Sequence, residues 1–315
     1  MGLRIVFMGT PQFASYMLER LHASSHEVVG VVTVADKPAG RGQKVRESDV
    51  KKIAQSIPLP IWQPLSLKEE GFVRELEALK ADLFVVVAFR MLPEVIWRIP
   101  KRGTINLHAS LLPEFRGAAP INWAIIAGES ETGLSTFYIN DRIDEGPILL
   151  QKSLEISEKT TAGTLHDSML PLGASLLLET LDGIEKQSLK ENPQQPIEGK
   201  TFRLAPKLNK SNTRIDFNED VQAIDRKVRG LSPYPGAYCE WMHVGRQATS
   251  TFKVFSGKMI AEEPKDRRLR SDSDHVLVPC RNGYYAISEI QAEGKKRMSA
   301  KAFLAGNRIT DWELL

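Results

Sequence analysis

Residues 83–88 read Leu-Phe-Val-Val-Val-Ala, an apolar run with no polar interruption. A strand with one wet face alternates polar and apolar side chains. A strand with none is covered on both faces, which happens in parallel sheets flanked by helices. The N-terminus supplies the matching parts. Leu3 to Met8 reads as a buried strand, and Gly9-Thr10-Pro11 turns it into a helix. Thr10 is the expected cap and Pro11 the first helical position. Phe13, Met17 and Leu21 recur at helical spacing, and Val28 to Val34 is a second strand. Strand, helix and strand in this order make a βαβ unit. The first turn has one glycine where dinucleotide binders carry Gly-x-Gly-x-x-Gly. The expectation is a Rossmann-like sheet without a nicotinamide cofactor.

In open parallel sheets the chemistry gathers beyond the carboxyl ends of the strands. The stretch Gly103 to Pro120 fits that place. Thr104 to His108 reads as a short strand, so Asn106 and His108 share one face and Ile105 and Leu107 the other. Two polar groups on an apolar strand need partners or a ligand. Asn106 offers an amide that does not titrate and can donate to an oxygen gaining negative charge. His108 offers a ring that holds or releases a proton near neutral pH. Pro113, Arg116-Gly117 and Pro120 then shape a loop. Further on, Gly133 to Asn140 is a strand, and the loop after it carries Asp141 and Asp144. The sheet would deliver these carboxylates beside Asn106 and His108.

Other elements follow in order. Asp36 to Arg46 holds four basic residues, two glycines and a proline, and is expected to be irregular. Such a loop can order on a polyanion. Helices are expected at Asp49–Ser56, Ser66–Leu79, Ala119–Ala127 and Thr164–Asp182, and a strand at Ile148–Leu154. Lys186 to Ala205, rich in Gln, Pro and Lys, reads as a linker. After Pro206 come a helix at Val221–Arg229 and short β segments at Ala237–Trp241, Thr251–Phe255, His275–Cys280 and Tyr284–Ile290. Ala300–Leu304 closes as a short helix. That pattern suggests a small barrel, with a five-stranded oligonucleotide-binding type as one candidate. The expected fold is therefore α/β: a mostly parallel Rossmann-like domain at 1–186, a linker at 187–206, and a small OB-like barrel domain at 207–315.

Charge divides unevenly. Residues 1–205 carry 23 Lys and Arg against 25 Asp and Glu, and residues 206–315 carry 19 against 14. A net +5 on the second part beside −2 on the first suggests an anionic macromolecular partner. Cys239 and Cys280 are the whole cysteine complement, with no metal spacing, and the six histidines are scattered, so no metal is expected. Leu3 to Met8 is too short for a signal peptide or a membrane span. The expected location is the cytoplasm.

Several motifs together resemble a known family. Asn106-Leu-His108, Ser110-Leu-Leu-Pro113, Arg116-Gly-Ala-Ala-Pro-Ile121 and Asp144-Glu-Gly146 are similar to the formyltransferases that use 10-formyltetrahydrofolate. Gly9-Thr-Pro-x-Phe13, Pro38-Ala-Gly-Arg-Gly42, Lys207-Leu, Arg214-Ile-Asp216 and Gly294-Lys-Lys-x-Met-Ser299 narrow the likeness to members that formylate methionyl-initiator tRNA. Two departures stand out. The family pattern Tyr-Gly-x-Ile-Leu-Pro is here Phe89-Arg-Met-Leu-Pro93, one residue shorter, and Asp-Thr-Gly is here Asp144-Glu-Gly146.

The resemblance implies an activity. The α-amine of charged methionine attacks the formyl carbon through a tetrahedral intermediate. Asn106 and His108 stabilise the oxygen, and Asp144 orients His108 or a water and helps take the amine's proton. Ser110, Leu111, Leu112 and Pro113 would contact the folate. Arg41, Lys207 and Lys210 would contact the tRNA. Two alternatives stay open at this point. One is a formyltransferase for a small amine such as glycinamide ribonucleotide or an amino sugar. The other is a non-catalytic RNA-binding protein on the same fold.

Overall fold

A computed structural model describes residues 2–39, 44–194 and 201–315, with the side chains of 37–39 and 44–46 left aside. The chain forms two compact units that are not contiguous in sequence. One contains Met1–Gly117, Thr132–Leu154 and His166–Leu204; the other contains Ala118–Glu131, Glu155–Leu165 and Ala205–Leu315.

The first unit is built on a seven-stranded sheet. Its spatial order is Ile148–Glu155, Glu131–Tyr138, Thr104–His108, Leu83–Val87, Arg4–Gly9, Glu27–Val32 and Ile61–Trp62. The five strands from Thr104–His108 to Ile61–Trp62 run parallel. Glu131–Tyr138 runs antiparallel to Thr104–His108, pairing Asn106 with Phe137 and His108 with Ser135. Every residue of Leu83–Val87 is buried, as its unbroken apolar run requires. The fold class read from the sequence is therefore the one observed here.

Local details correct the reading in two places. The first helix spans Gln12–His22, its cap position is Pro11, and no side chain caps it. Thr10 instead turns its carbonyl to Val50 N–H, 3.4 Å away. Phe13, Met17 and Leu21 are buried as their spacing demands. The basic stretch after Asp36 is not wholly irregular, because Lys37–Ala39 pairs antiparallel with Lys44–Arg46. Main-chain pairing satisfies backbone donors and acceptors without any apolar face to bury, which composition could not reveal. Arg41 lies outside the described residues. The long helix runs Ala162–Glu185 and carries Pro171 within it. No helix among the described residues is long and apolar enough to cross a membrane.

The second unit is an antiparallel half-barrel. Its strands follow the order Arg270–Ser271, Val276–Pro279, Tyr284–Ala292, Ala248–Ile260, Ala237–His243 and Trp312–Leu314, and Met298–Ser299 adds to Tyr284–Ala292. The helix Val221–Leu231 contributes Ile224, Val228 and Leu231 to one core with Trp241, Phe252 and Ile287. Trp241 and Phe252 stack with ring centroids 4.4 Å apart. Helix Pro120–Ala127 meets Val221–Leu231 at Gly230, where a Cβ would come within 2.6 Å of Ile126 Cγ1. Arg270–Ser271 and Trp312–Leu314 are too short to show alternation in the sequence. Cys239 and Cys280 are both buried and free.

Candidate active site

Thr104–His108 sits between Leu83–Val87 and Glu131–Tyr138, with Asn106 and His108 two residues apart on the same face. Asn106 Oδ1 is buried and has no hydrogen-bond partner. Such an unmet buried polar atom costs about 1–3 kcal/mol, so a fold that keeps one invites a ligand group there.

His108 is 7% exposed, and its Nε2 lies 3.0 Å from Phe115 O. A carbonyl only accepts, so Nε2 carries hydrogen. In the neutral ring Nδ1 is then the bare nitrogen. It lies 3.9 Å from Asp144 Oδ2, beyond hydrogen-bond reach but close enough for charge to matter. Asp144 Oδ2 accepts from Gly117 N–H at 2.9 Å. Asp144 thus lies close to His108, while Asp141 is exposed and forms no hydrogen bond or ion pair with either residue.

Residues 110–113 are held from behind. Ser110 is fully buried and donates its hydroxyl to Glu114 O at 2.6 Å. Ser135 Oγ donates to Ser110 O at 2.6 Å and accepts from Leu112 N–H at 3.0 Å. Gln151 Nε2 donates to Leu112 O at 3.0 Å and to Ser135 Oγ at 2.8 Å. Leu112 packs its side chain against Phe137 and Ile148. Two of the four expected folate contacts, Ser110 and Leu112, therefore spend their side chains inside the fold. Leu111 and Pro113 are half-buried.

Asp144 adopts φ 55°, a left-handed conformation uncommon outside glycine. At Gly146 a Cβ would sit 1.6 Å from Tyr138 O, so only glycine fits. The same loop is gripped by Gln194, whose Nε2 donates to Asp144 O at 3.0 Å and Gly146 O at 2.8 Å. Gln194 Oε1 accepts from Arg116 Nε at 3.1 Å and Nη2 at 2.8 Å. Arg116 Nη1 pairs with Glu145 Oε1 at 3.0 Å. Phe115 N–H donates to Arg203 O at 2.7 Å, and Arg203 N–H donates to Glu114 Oε2 at 3.0 Å. Stretches of the segment read as a linker thus bond to the loops that carry Phe115, Arg116 and Asp144. Sequence reasoning missed Gln194 because a glutamine among prolines carries no periodic signal.

Arg90 donates to Pro64 O at 2.6 Å and Leu65 O at 3.1 Å, and burial pushes its guanidinium below the ordinary arginine range. In the second unit, Lys207 and Lys210 are exposed, with the Lys210 ammonium 6.0 Å from the Tyr238 ring centre. Among the described residues one group, His26, Asp182 and Glu185, brings possible metal ligands within 4.8 Å of one another. Leu3 N–H donates to His26 Nδ1 at 3.1 Å, so Nε2 carries hydrogen and faces Asp182 Oδ1 at 3.3 Å. That nitrogen is a donor in this arrangement and offers a cation no lone pair.

The chain is similar to known proteins over nearly its whole length. A family model described as "Formyl transferase" matches residues 3–181, and one described as "Formyl transferase, C-terminal domain" matches residues 207–308. A methionyl-tRNA formyltransferase of Flavobacterium johnsoniae is 43% identical over 311 residues, covering 98% of each chain. The methionyl-tRNA formyltransferase of Bacteroides thetaiotaomicron is 43% identical over 314 residues, covering 98% of this chain and 97% of that one. Among solved structures, HypX from Aquifex aeolicus in complex with tetrahydrofolic acid has a TM-score of 0.64 at 18% identity. That match covers 97% of this chain and 47% of HypX, so the chain spans just under half of HypX, and at this identity the likeness is one of fold.

Proposed function

The chain belongs to the formyl transferase family, in its methionyl-tRNA formyltransferase branch, and from that premise we propose how the site in its first unit works. The donor is 10-formyltetrahydrofolate, and the acceptor is the α-amine of methionine esterified to initiator tRNA. The reaction belongs to translation initiation, and the protein works in the cytoplasm. The observation that carries this reading is the placing of Asn106 and His108 on one face of the same strand, with the ring nitrogen of His108 that is not held by Phe115 facing the Asp144 carboxylate.

The folate supplies a formyl carbon already bonded to a nitrogen that can leave. The chain's own residues do the rest. The main chain of Ser110 to Pro113, braced by Ser135 and Gln151, is the shelf for the folate, with Leu111 and Pro113 offering side chains. As the amine attacks, negative charge builds on the formyl oxygen. Asn106 donates to it without changing protonation state, and donors so placed are worth roughly 3–4 kcal/mol in other enzymes. His108 meets the same oxygen through Nδ1 when the ring is protonated, because Nε2 is committed to Phe115. Asp144 holds His108 or a water in place and helps take the amine's proton, and that proton is passed on to the departing N10. General acid–base help of this kind is typically worth about 10²–10⁴-fold. No covalent formyl-enzyme is required.

Arg41, Lys207 and Lys210 serve the tRNA in this reading, through its phosphates and its acceptor end. Contacts to phosphate make binding fall steeply with salt. The test is an assay with 10-formyltetrahydrofolate and methionine-charged initiator tRNA, run beside glycinamide ribonucleotide and an amino sugar nucleotide. Formyl transfer to the charged tRNA alone is expected. Preferred transfer to a small amine would overturn the acceptor assignment, and no transfer to any of them would overturn the activity.

A further inference from the structure

We infer that Gln194 is a positioning residue that sets the Asp144 loop for proton transfer, an assignment that rests on the reaction proposed above. Its side-chain amide is used to capacity. The oxygen accepts two N–H groups from Arg116, and the nitrogen donates to Asp144 O and Gly146 O. A guanidinium can only donate and a carbonyl can only accept, so the amide's orientation is fixed by its partners.

The consequence is a clamp on three successive residues. Gln194 holds the carbonyls on either side of Glu145, and Arg116 holds the Glu145 carboxylate. Between them the backbone at Asp144 keeps its left-handed turn, at φ 55°. That turn is what brings the Asp144 carboxylate to the Gly117 N–H and toward His108 Nδ1. No other hydrogen bond to the Asp144 or Gly146 carbonyl is made among the described residues. Gln194 is itself anchored two residues upstream, where Asn192 and Ile148 exchange main-chain bonds of 2.8 and 2.9 Å. The amide touches no reacting atom. It acts through Asp144, and a small misplacement of a catalytic group can cost about 10²-fold in rate.

The test compares Gln194→Ala, Gln194→Glu and Gln194→Met in the full-length protein. Glu keeps the acceptor for Arg116 but loses both donors and faces two carbonyl oxygens. Met keeps the length and removes every hydrogen bond. Each variant is expected to lose about 10²-fold in kcat, with folate affinity, read by binding of 5-formyltetrahydrofolate, unchanged. Adding Gln194→Ala to Asp144→Asn should cost nothing further, because the group being positioned is already disabled. Hydrogen exchange over residues 143–147 should quicken in Gln194→Ala while the rest of the first unit stays protected. A wild-type kcat in Gln194→Met, or losses that multiply in the double variant, would overturn the role. Unchanged exchange in the loop would overturn the clamp itself. A wild-type protein inactive toward charged tRNA would instead overturn the reaction, and the exchange measurement would still judge the clamp.

Discussion

His108 Nδ1 faces Asp144 Oδ2 across 3.9 Å, while Nε2 of the same ring is tied to Phe115 O at 3.0 Å. One nitrogen is structural and the other is available. The carboxylate is in turn fixed by Gly117 N–H. The ring therefore cannot turn over to exchange its nitrogens without abandoning a buried hydrogen bond, worth about 0.5–1.5 kcal/mol net.

Replacing His108 by alanine removes one of the two groups proposed to meet the formyl oxygen. Turnover should fall by about 10²–10⁴-fold. The affinity for a folate should change little, because the shelf at 110–113 is held by Ser135 and Gln151. Steady-state kinetics paired with equilibrium folate binding reads the two separately, and equal losses in both would undo the assignment.

For Asp144→Asn the fold should survive. An asparagine oxygen still accepts from Gly117 N–H, and asparagine tolerates the left-handed backbone that Asp144 adopts. What disappears is the negative charge beside His108. The melting temperature should stay near that of wild type while kcat drops by about 10²-fold or more. A near-normal rate would remove Asp144 from the mechanism.

Asn106→Leu should separate stability from activity. The wild-type amide oxygen is buried with no partner, so an apolar side chain of similar size relieves a cost of about 1 kcal/mol or more. Denaturant midpoint should rise or hold, and kcat should fall by about 10²–10³-fold. A less stable and fully active variant would contradict the reading of that amide.

Burial pushes the Cys280 thiol up to about 11, while an unfolded cysteine titrates near about 8.5. The native state thus keeps a proton that the unfolded state gives up between those values. Stability should decline as pH rises through that window, and less so in Cys280→Ala. Denaturant unfolding at pH 7 and pH 10 checks this. In the same vein, the folded protein should resist iodoacetamide at pH 8 and react once unfolded.

The sheet was legible because its signal is compositional. Leu83–Val87 has no polar residue to expose, and Phe13, Met17 and Leu21 keep one helical face. Asn106 and His108 were legible because strand alternation fixes their common side. The rest depended on contacts that sequence distance hides. Nothing about Phe115 announces that its carbonyl will hold the His108 ring. Ser110 looked like a ligand group because it is a hydroxyl beside the site, yet that hydroxyl bonds Glu114 O. Gln194 is 50 residues from Asp144, and its partners are mostly backbone carbonyls, which every residue has. The strands at 37–39 and 44–46 pair through the main chain, which side-chain composition does not register.

The path of the chain has a practical consequence. The helix Pro120–Ala127 belongs with Val221–Leu231, and Asn122 Nδ2 donates to Gly230 O at 2.7 Å. A gene cut after residue 186 would therefore yield an orphaned helix stripped of its mate, along with a 144–146 loop deprived of its hydrogen bonds to Gln194. Anyone wishing to graft or recombine these halves should exchange the polypeptide whole.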